Sequence, residues 1–305
     1  MIRVLATDGM EASAVEKLQS LGYEVEQHFY EPEDLKKAVQ EFDVMVVRSA
    51  TKVKKDIIDA AALTGRLKLI IRGGVGIDNI DKAAAEAVGI KVTNTPAASS
   101  ASVAELTLGH MFSMARHIGI ANATMRNGEW NKKKYEGIEL GGRTLGLYGF
   151  GRIAREVAKR ANALGMNVVY FKRSGEDNTV DFAKYVDLAT LIKDSDFISV
   201  HVPKQADRDY LIGKEEIAQM KDGVYLVNTS RGGIIEEDAL VEALDSGKVA
   251  GAALDVYKEE PTKNEKILHN AKISMTPHIA AATGEAQTRI GAEIVEIIES
   301  FFAAK

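Results

Sequence analysis

"LYGFGRIAREVAKRANALGMNVVYFKRS", residues 147–174, strings together an apolar strand, a glycine turn, an amphipathic helix and a second apolar strand. In Gly149-Phe150-Gly151-Arg152-Ile153-Ala154 the first glycine permits a tight turn. The second lets the backbone approach a pyrophosphate, and alanine in the third place lets the helix pack closely on the strand. The helix N-terminus adds free N–H groups and the positive end of its dipole. Such a turn alone is a weak signal. Here the strand before it and the helix after it supply the required context, so dinucleotide binding is the expectation over a bare strand–helix turn. The ending is unusual. An acid that hydrogen-bonds the adenine ribose should close the second strand, and Lys172, Arg173 and Ser174 stand there instead. Two cations and a hydroxyl suit a 2′-phosphate. Solvated side chains beside NAD account for the same residues, and residue chemistry alone leaves the choice open.

Outward from this stretch the same rhythm continues. "IRVLAT", "YEVEQ", "DVMVV", "LKLII" and "IKVTN" are strand-like before it, and "DFISVHV", "VYLVNTS", "VAGAALDV" and "KISMTP" after it. Helical patterns lie between, such as Ala12 to Leu21 ended by Gly22, and Pro32 to Phe42 with proline at its start. This alternation predicts α/β architecture with parallel sheets. "ASSASVAELTLGHMFSMARHI" reads as a helix between the two series, and residues 284–302 read as a closing one. Proline and small residues in "NTPAAS" (94–99) mark the best boundary.

The 305 residues allow two domains of ordinary size. A net charge of −5 argues against a general nucleic-acid binder, which needs a basic face. With no cysteine, disulfides, thiolate metal sites and a cysteine nucleophile are excluded. No run of about 18 apolar residues spans a membrane, and "MIRVLATDG" reads as a first strand rather than a leader. The expected setting is the cytoplasm.

"VVRSATKV", "RGGVGIDNID", "VTNTPAASSASVAELTLG", "GFGRIARE", "VNTSRGGIIEEDAL", "GAALDVYKEEP" and "TPHIAAAT" occur in this order, and together the chain resembles the D-isomer-specific 2-hydroxyacid dehydrogenases. The resemblance implies two Rossmann-like, doubly wound domains with a cleft between them. Residues 1–94, completed by 279–305, form the substrate domain, and residues 95–278 the dinucleotide domain. Many relatives carry a C-terminal regulatory domain; this chain stops after its last helix, so feedback through such a domain is not expected.

Moving a hydride from a hydroxyl carbon needs a group to take the proton and a cation to hold the carboxylate. No bound metal is implied, so histidine is the natural acid/base. Of six histidines, His278 follows Pro277 at the end of "ISMT", where parallel sheets place ligands, and it matches the family's catalytic "PHxA" histidine. His201, ending "SVHV", is the runner-up. Glu260 matches the glutamate that pairs with the histidine, favouring the imidazolium and fixing the ring; on charge alone Glu259 is its equal. Arg231, directly after an apolar strand, matches the arginine that grips the carboxylate, with a surface ion pair as the plain alternative.

The resemblance also places Arg152 and Ile153 under the pyrophosphate. Val202, Thr229 and Ser230 line the nicotinamide half, Asp255 meets the carboxamide (a helix cap is the alternative), and Ala280 closes the site. Val75 stands where relatives often have threonine. Arg48, Ser49 and Thr51 after the third strand, with Arg72 and Gly74 after the fourth and Asn94, match substrate-holding positions; solvated strand-end charges are the alternative. Lys132, Lys133 and Lys134 are a wet surface or, by resemblance, part of an arm that packs on a partner subunit, so a homodimer is expected. The implied activity is oxidation of D-3-phosphoglycerate with NAD on the route to serine. An NADPH-linked reductase of glyoxylate or hydroxypyruvate is second, and a non-catalytic dinucleotide sensor is a distant third. No membrane or nucleic-acid partner is expected.

Overall fold

Alternation along each short apolar strand sends successive side chains to opposite faces. In the N-terminal sheet Val4, Ala6, Val44, Val46, Leu69 and Ile71 gather on one face, and Leu5, Met45, Val47, Ile70 and Val92 on the other. A sheet apolar on both faces must be covered on both, the usual condition of parallel sheets. The computed structural model describes residues 1–205 and 208–303. The chain divides into two units, Met1–Ser99 with the segment that begins at Ala281, and Ser100–Ala280.

In the first unit β1 (Arg3–Ala6), β2 (Glu24–Gln27), β3 (Val44–Val47), β4 (Leu69–Arg72) and β5 (Lys91–Asn94) run parallel in the order β2-β1-β3-β4-β5. One face is covered by α2 (Pro32–Ala38), α3 (Lys55–Ala62) and α4 (Lys82–Ala87), through Leu35, Ile57, Ile58 and Ala85. The other is covered by Ala14 and Leu18 of α1 (Ala12–Ser20) and by Ile290, Ile294, Val295 and Ile298 of the C-terminal helix, Gly284–Ala303. Each such aliphatic side chain taken from water contributes about 1.5–3 kcal/mol before the entropy of ordering is subtracted.

The second unit carries β6 (Thr144–Tyr148), β7 (Asn167–Phe171), β8 (Lys184–Tyr185), β9 (Phe197–Val200), β10 (Val224–Asn228), β11 (Val249–Leu254) and β12 (Ile273–Met275). They form one sheet in the order β12-β11-β10-β9-β6-β7-β8, parallel throughout. α5 (Ser100–Ala115) and α7 (Arg152–Ala163) cover one face. α8 (Leu188–Asp194), α9 (Lys214–Gln219), α10 (Glu237–Ser246) and α11 (Glu265–Leu268) cover the other. Both units are thus doubly wound. Each has a topological switch point, between β1 and β3 and between β6 and β9, and ligands bind outside the carboxyl ends of strands at such points.

Two local differences from the sequence pattern have plain causes. β8 has no counterpart in the sequence pattern, because two residues are too few to alternate. The helix read through residues 98–118 breaks at His117, whose φ of 55° is left-handed, and α6 (Ile118–Arg126) restarts beyond it.

Where α1 meets the C-terminal helix, a Cβ on Gly291 would lie 2.8 Å from the Ala14 Cβ. Gly291→Leu is therefore expected to force the helices apart and cost about 1–3 kcal/mol, read as a melting temperature lowered by several degrees in thermal unfolding.

Candidate active site

β6 enters the glycine turn and α7 leaves it. Gly149 has φ +96°, and a Cβ there would sit 2.4 Å from the His201 carbonyl oxygen and 2.6 Å from Val202 Cγ1. Its N–H donates to the Phe171 carbonyl at 2.9 Å, tying the turn to the end of β7. Gly151 differs. A Cβ there would meet nothing within 4 Å, so packing within the chain does not demand glycine. Gly151 is also the N-cap of α7, and no side chain caps that helix. Open space above a glycine and uncapped first-turn N–H groups, including those of Arg152 and Ile153, fit a pyrophosphate. Ala154 is fully buried against the sheet.

The catalytic candidates lie in loops after β10, β11 and β12. His278 Nδ1 is 2.7 Å from Glu260 Oε2, and the two side chains are 42% and 37% exposed, so the pair is open to a ligand. A carboxylate only accepts, so Nδ1 carries the proton donated to Glu260 and Nε2 of the neutral ring is left as an acceptor. The other Glu260 oxygen, Oε1, accepts from the Tyr257 N–H at 3.1 Å. His278 adopts a left-handed φ of 55°, rare for a residue with a side chain. Buried Asp255, just past β11, holds this conformation: Oδ1 accepts from Thr276 Oγ1 (2.6 Å) and the Ile279 N–H (2.8 Å), and Oδ2 from the Ala280 N–H (2.9 Å). Asp255 caps no helix; its carboxylate organises the histidine loop.

Arg231 follows β10 in a loop wrapped around Asn228. Asn228 Oδ1 accepts from the Ser230 N–H and hydroxyl at 3.1 and 2.8 Å, and Nδ2 donates to the Arg231 carbonyl at 2.8 Å. A Cβ on Gly232 would fall 1.6 Å from the Tyr257 carbonyl oxygen. Glycine therefore seats the arginine loop directly against the backbone that also holds Glu260. The Arg231 guanidinium donates from Nη1 to the Ser230 carbonyl at 2.6 Å. Thr229 is buried, its hydroxyl 2.8 Å from that of Thr107.

His110 of α5 is buried beneath this site. Its Nε2 is 2.9 Å from Thr276 Oγ1 and its Nδ1 2.9 Å from Ser274 Oγ. Thr276 gives its one proton to Asp255, so His110 donates from Nε2. His201 bonds through Nε2 to the buried Ser199 hydroxyl at 2.8 Å. The hydrogen bonds of both rings go to hydroxyls of the second unit.

In the first unit every substrate candidate lies at the carboxyl edge of the sheet. Asp8, beyond β1, accepts from the backbone N–H groups of Arg48 (2.6 Å) and Thr51 (3.1 Å) and from the Thr51 hydroxyl (2.6 Å). Asn79 Nδ2 donates to the Arg48 and Thr51 carbonyls at 2.8 and 2.7 Å. The loop that presents Arg48 and exposed Ser49 is thereby clamped from both sides. Arg72 is the last residue of β4 rather than the first beyond it. Gly74 has a φ of +141°, which favours glycine, and a Cβ there would stand where the Arg72 guanidinium lies. The Asn94 side chain donates to the Val75 carbonyl at 2.5 Å.

The end of β7 departs from the simple charge reading. Lys172 Nζ pairs with Asp177 Oδ2 at 3.1 Å, and Arg155 pairs with the same carboxylate. Arg173 is exposed and forms no ion pair among the described residues. Neither Asp177 nor the organising residues Asp8, Asn79 and Asn228 stand out in sequence; Asn228, adjoining the "TSRGG" run, gave the nearest signal. Among the described residues no group of three or more His, Asp or Glu side chains is placed to hold a metal.

Burial pushes the His201 imidazole down to about 4, and it pushes His110 down as well, against the nearby Asp255 charge that raises it. Both rings are neutral in the folded chain at neutral pH, whereas in the unfolded chain they titrate near 6.5. The unfolded state then binds more protons as pH falls below that value. Unfolding free energy is expected to be fully supported above pH 6.5 and to decline as pH falls below it, the His201 share at up to about 1.4 kcal/mol per pH unit down to about pH 4. Urea titrations across this range, with His201→Asn flattening the slope, check it.

The model of the family described as "D-isomer specific 2-hydroxyacid dehydrogenase, NAD binding domain" matches residues 108–280. Over 300 residues the chain is 48% identical to a hydroxypyruvate reductase of Thermotoga maritima, covering 97% of each. It is 44% identical over 304 residues to a D-3-phosphoglycerate dehydrogenase of Methanocaldococcus jannaschii, covering 98% of this chain and 57% of that one. This chain thus spans little more than half the length of that relative. A solved glyoxylate reductase from Paecilomyes thermophila superposes with a TM-score of 0.88 at 32% identity, covering 98% of this chain and 94% of that one. With the family model matched over more than half of its residues, from α5 to the loop that Asp255 holds, the chain belongs to the D-isomer specific 2-hydroxyacid dehydrogenases and binds a nicotinamide dinucleotide.

Proposed function

We propose that this protein is an NAD(P)-dependent dehydrogenase that oxidises D-3-phosphoglycerate at C2, the step that opens serine synthesis. The observation that carries the reading is the His278–Glu260 pair, with Nδ1 committed to the carboxylate and Nε2 left as a base. In oxidation Nε2 takes the C2 hydroxyl proton, and Glu260 balances the charge of the imidazolium that forms. In reduction the same ring starts protonated. Arg231 pairs with the substrate carboxylate and polarises the reacting oxygen. The bound nicotinamide supplies the hydride acceptor. Gly149, Gly151, Arg152 and Ile153 hold its pyrophosphate, while Val202, Thr229, Ser230 and Ala280, with Val75, are the remaining contacts. Asp255 acts on the cofactor through the loop it holds. Met1–Ser99 with the C-terminal helix is the substrate domain in this reading, and its Arg48, Ser49, Arg72, Gly74 and Asn94 hold the anionic groups.

Reduction of hydroxypyruvate is the second reading. It is supported by the Thermotoga relative, which this chain matches over nearly its full length. The two substrates share a three-carbon 2-hydroxy or 2-oxo acid with oxygen on C3, so the same base, arginine and glycine turn serve both. Ile118, Met125 and Trp130 are 53%, 51% and 79% exposed. This apolar surface supports a homodimer through α6 and the lysine-bearing segment after it. No helix among the described residues is long and apolar enough to cross a membrane; the cytoplasm is the setting this reading implies.

Steady-state rates on D-3-phosphoglycerate and on hydroxypyruvate, each with NAD(H) and NADP(H), separate the readings. The first requires the higher kcat/KM on phosphoglycerate. In either case His278→Ala is expected to lower kcat by about 10²–10⁴-fold, and near-normal turnover of that variant overturns the assignment. Light scattering of the purified chain is expected to give twice the 33.1 kDa chain mass.

A further inference from the structure

The strand that follows the glycine turn ends in a charge cluster that the catalytic reading leaves unused. Asp177 is nearly buried, with a side chain 9% exposed. Its Oδ2 is shared by Lys172 and Arg155. Its Oδ1 accepts from the Thr179 N–H and hydroxyl at 3.1 and 2.6 Å, and its own N–H donates to the Tyr170 hydroxyl at 2.8 Å. Tyr170 stacks on Phe150 of the glycine turn with ring centroids 3.7 Å apart, and Arg155 lies over the same Phe150 ring. The cluster is therefore built onto the turn. Arg173 adjoins Lys172 in the chain and is exposed.

We propose that Asp177 sets the preference between the two nicotinamide dinucleotides. One carboxylate shared by Lys172 and Arg155 lowers their combined charge from +2 to +1, and Arg173, which forms no ion pair among the described residues, becomes the principal cation facing the ribose 2′-position. With Lys172 where relatives of this fold place an acid, the cluster removes a charge that would otherwise attract a 2′-phosphate. This keeps the site open to an unphosphorylated ribose. The inference rests on the reading that the end of β7 meets the adenine ribose. Opposite charge at hydrogen-bond distance offsets Lys172 strongly because the shared carboxylate is shielded from water.

The test is the ratio of kcat/KM with NADP to that with NAD, measured for the parent, Asp177→Asn, Lys172→Ala, the double variant and Arg173→Glu. Binding of 2′-AMP against 5′-AMP is a readout independent of turnover. Asp177→Asn keeps the shape and is expected to raise the ratio about tenfold, with 2′-AMP binding tighter by a similar factor. Lys172→Ala is expected to change the ratio little in the parent and to abolish most of the gain in the Asp177→Asn background, a coupling that a purely structural role does not produce. An unchanged or lowered ratio in Asp177→Asn, with Arg173→Glu still lowering it, overturns the role of Asp177 and leaves the ribose reading standing. If Arg173→Glu and Asp177→Asn both leave the ratio and 2′-AMP binding unchanged, the ribose reading itself fails, and the proposal with it. Should Asp177→Asn not fold, Asp177→Ser carries the same measurements.

Discussion

A carboxylate buried without a cationic partner is costly unless hydrogen-bond donors surround it. Asp255 is fully buried, and its donors come from one short stretch, the Thr276 hydroxyl and the N–H groups of Ile279 and Ala280. Satisfying the acid therefore bends the chain after β12 tightly around it. His278 lies inside that bend with a left-handed backbone, a conformation that costs roughly 1–3 kcal/mol and persists because its surroundings leave no other. His110 extends the arrangement inward, so the hydroxyl of Thr276 has one consistent direction in which to donate. The position of the base thus depends on a buried acid that need not touch the reacting atoms.

Loop backbones elsewhere are fixed on the same principle. In the first unit Asp8 accepts the N–H groups of Arg48 and Thr51 while Asn79 donates to their carbonyls. In the second, Asn228 does both for the arginine loop. In each case a polar side chain at or beyond a strand end replaces the hydrogen bonds that the strand no longer supplies. Such residues convert an irregular segment into a rigid one without joining the chemistry. Rigid loops at carboxyl ends are what parallel sheets offer a ligand.

Charge at the end of β7 illustrates how a local reading is modified by its surroundings. Lys172 and Arg173 are adjacent and equal in formal charge, yet one is held by Asp177 and the other is exposed. Lys172 pairs with an acid five positions further along the chain. Nothing in strand or helix periodicity fixes that loop's path. Its course follows from the stacking of Tyr170 on Phe150 and from the Tyr170 hydroxyl, which anchors the Asp177 backbone.

By itself the sequence determined what rests on short-range regularity: the alternation that makes the parallel strands other than β8 and their covering helices, the glycine turn at Gly149, and the strand-end places of Arg231 and His278. Periodicity and backbone permissiveness are properties of neighbouring residues, so they can be read in order along the chain. The "PHxA" and "EEP" patterns singled out His278 and Glu260, but the 2.7 Å contact that orients the ring is a fact of folding. Only the tertiary structure decided that Asp255 holds a loop, that Gly232 seats the arginine against Tyr257, and that Lys172 is paired with Asp177. Each joins groups brought together by packing, and the strength of a hydrogen bond or charge pair depends on distance and burial, which residue order does not encode.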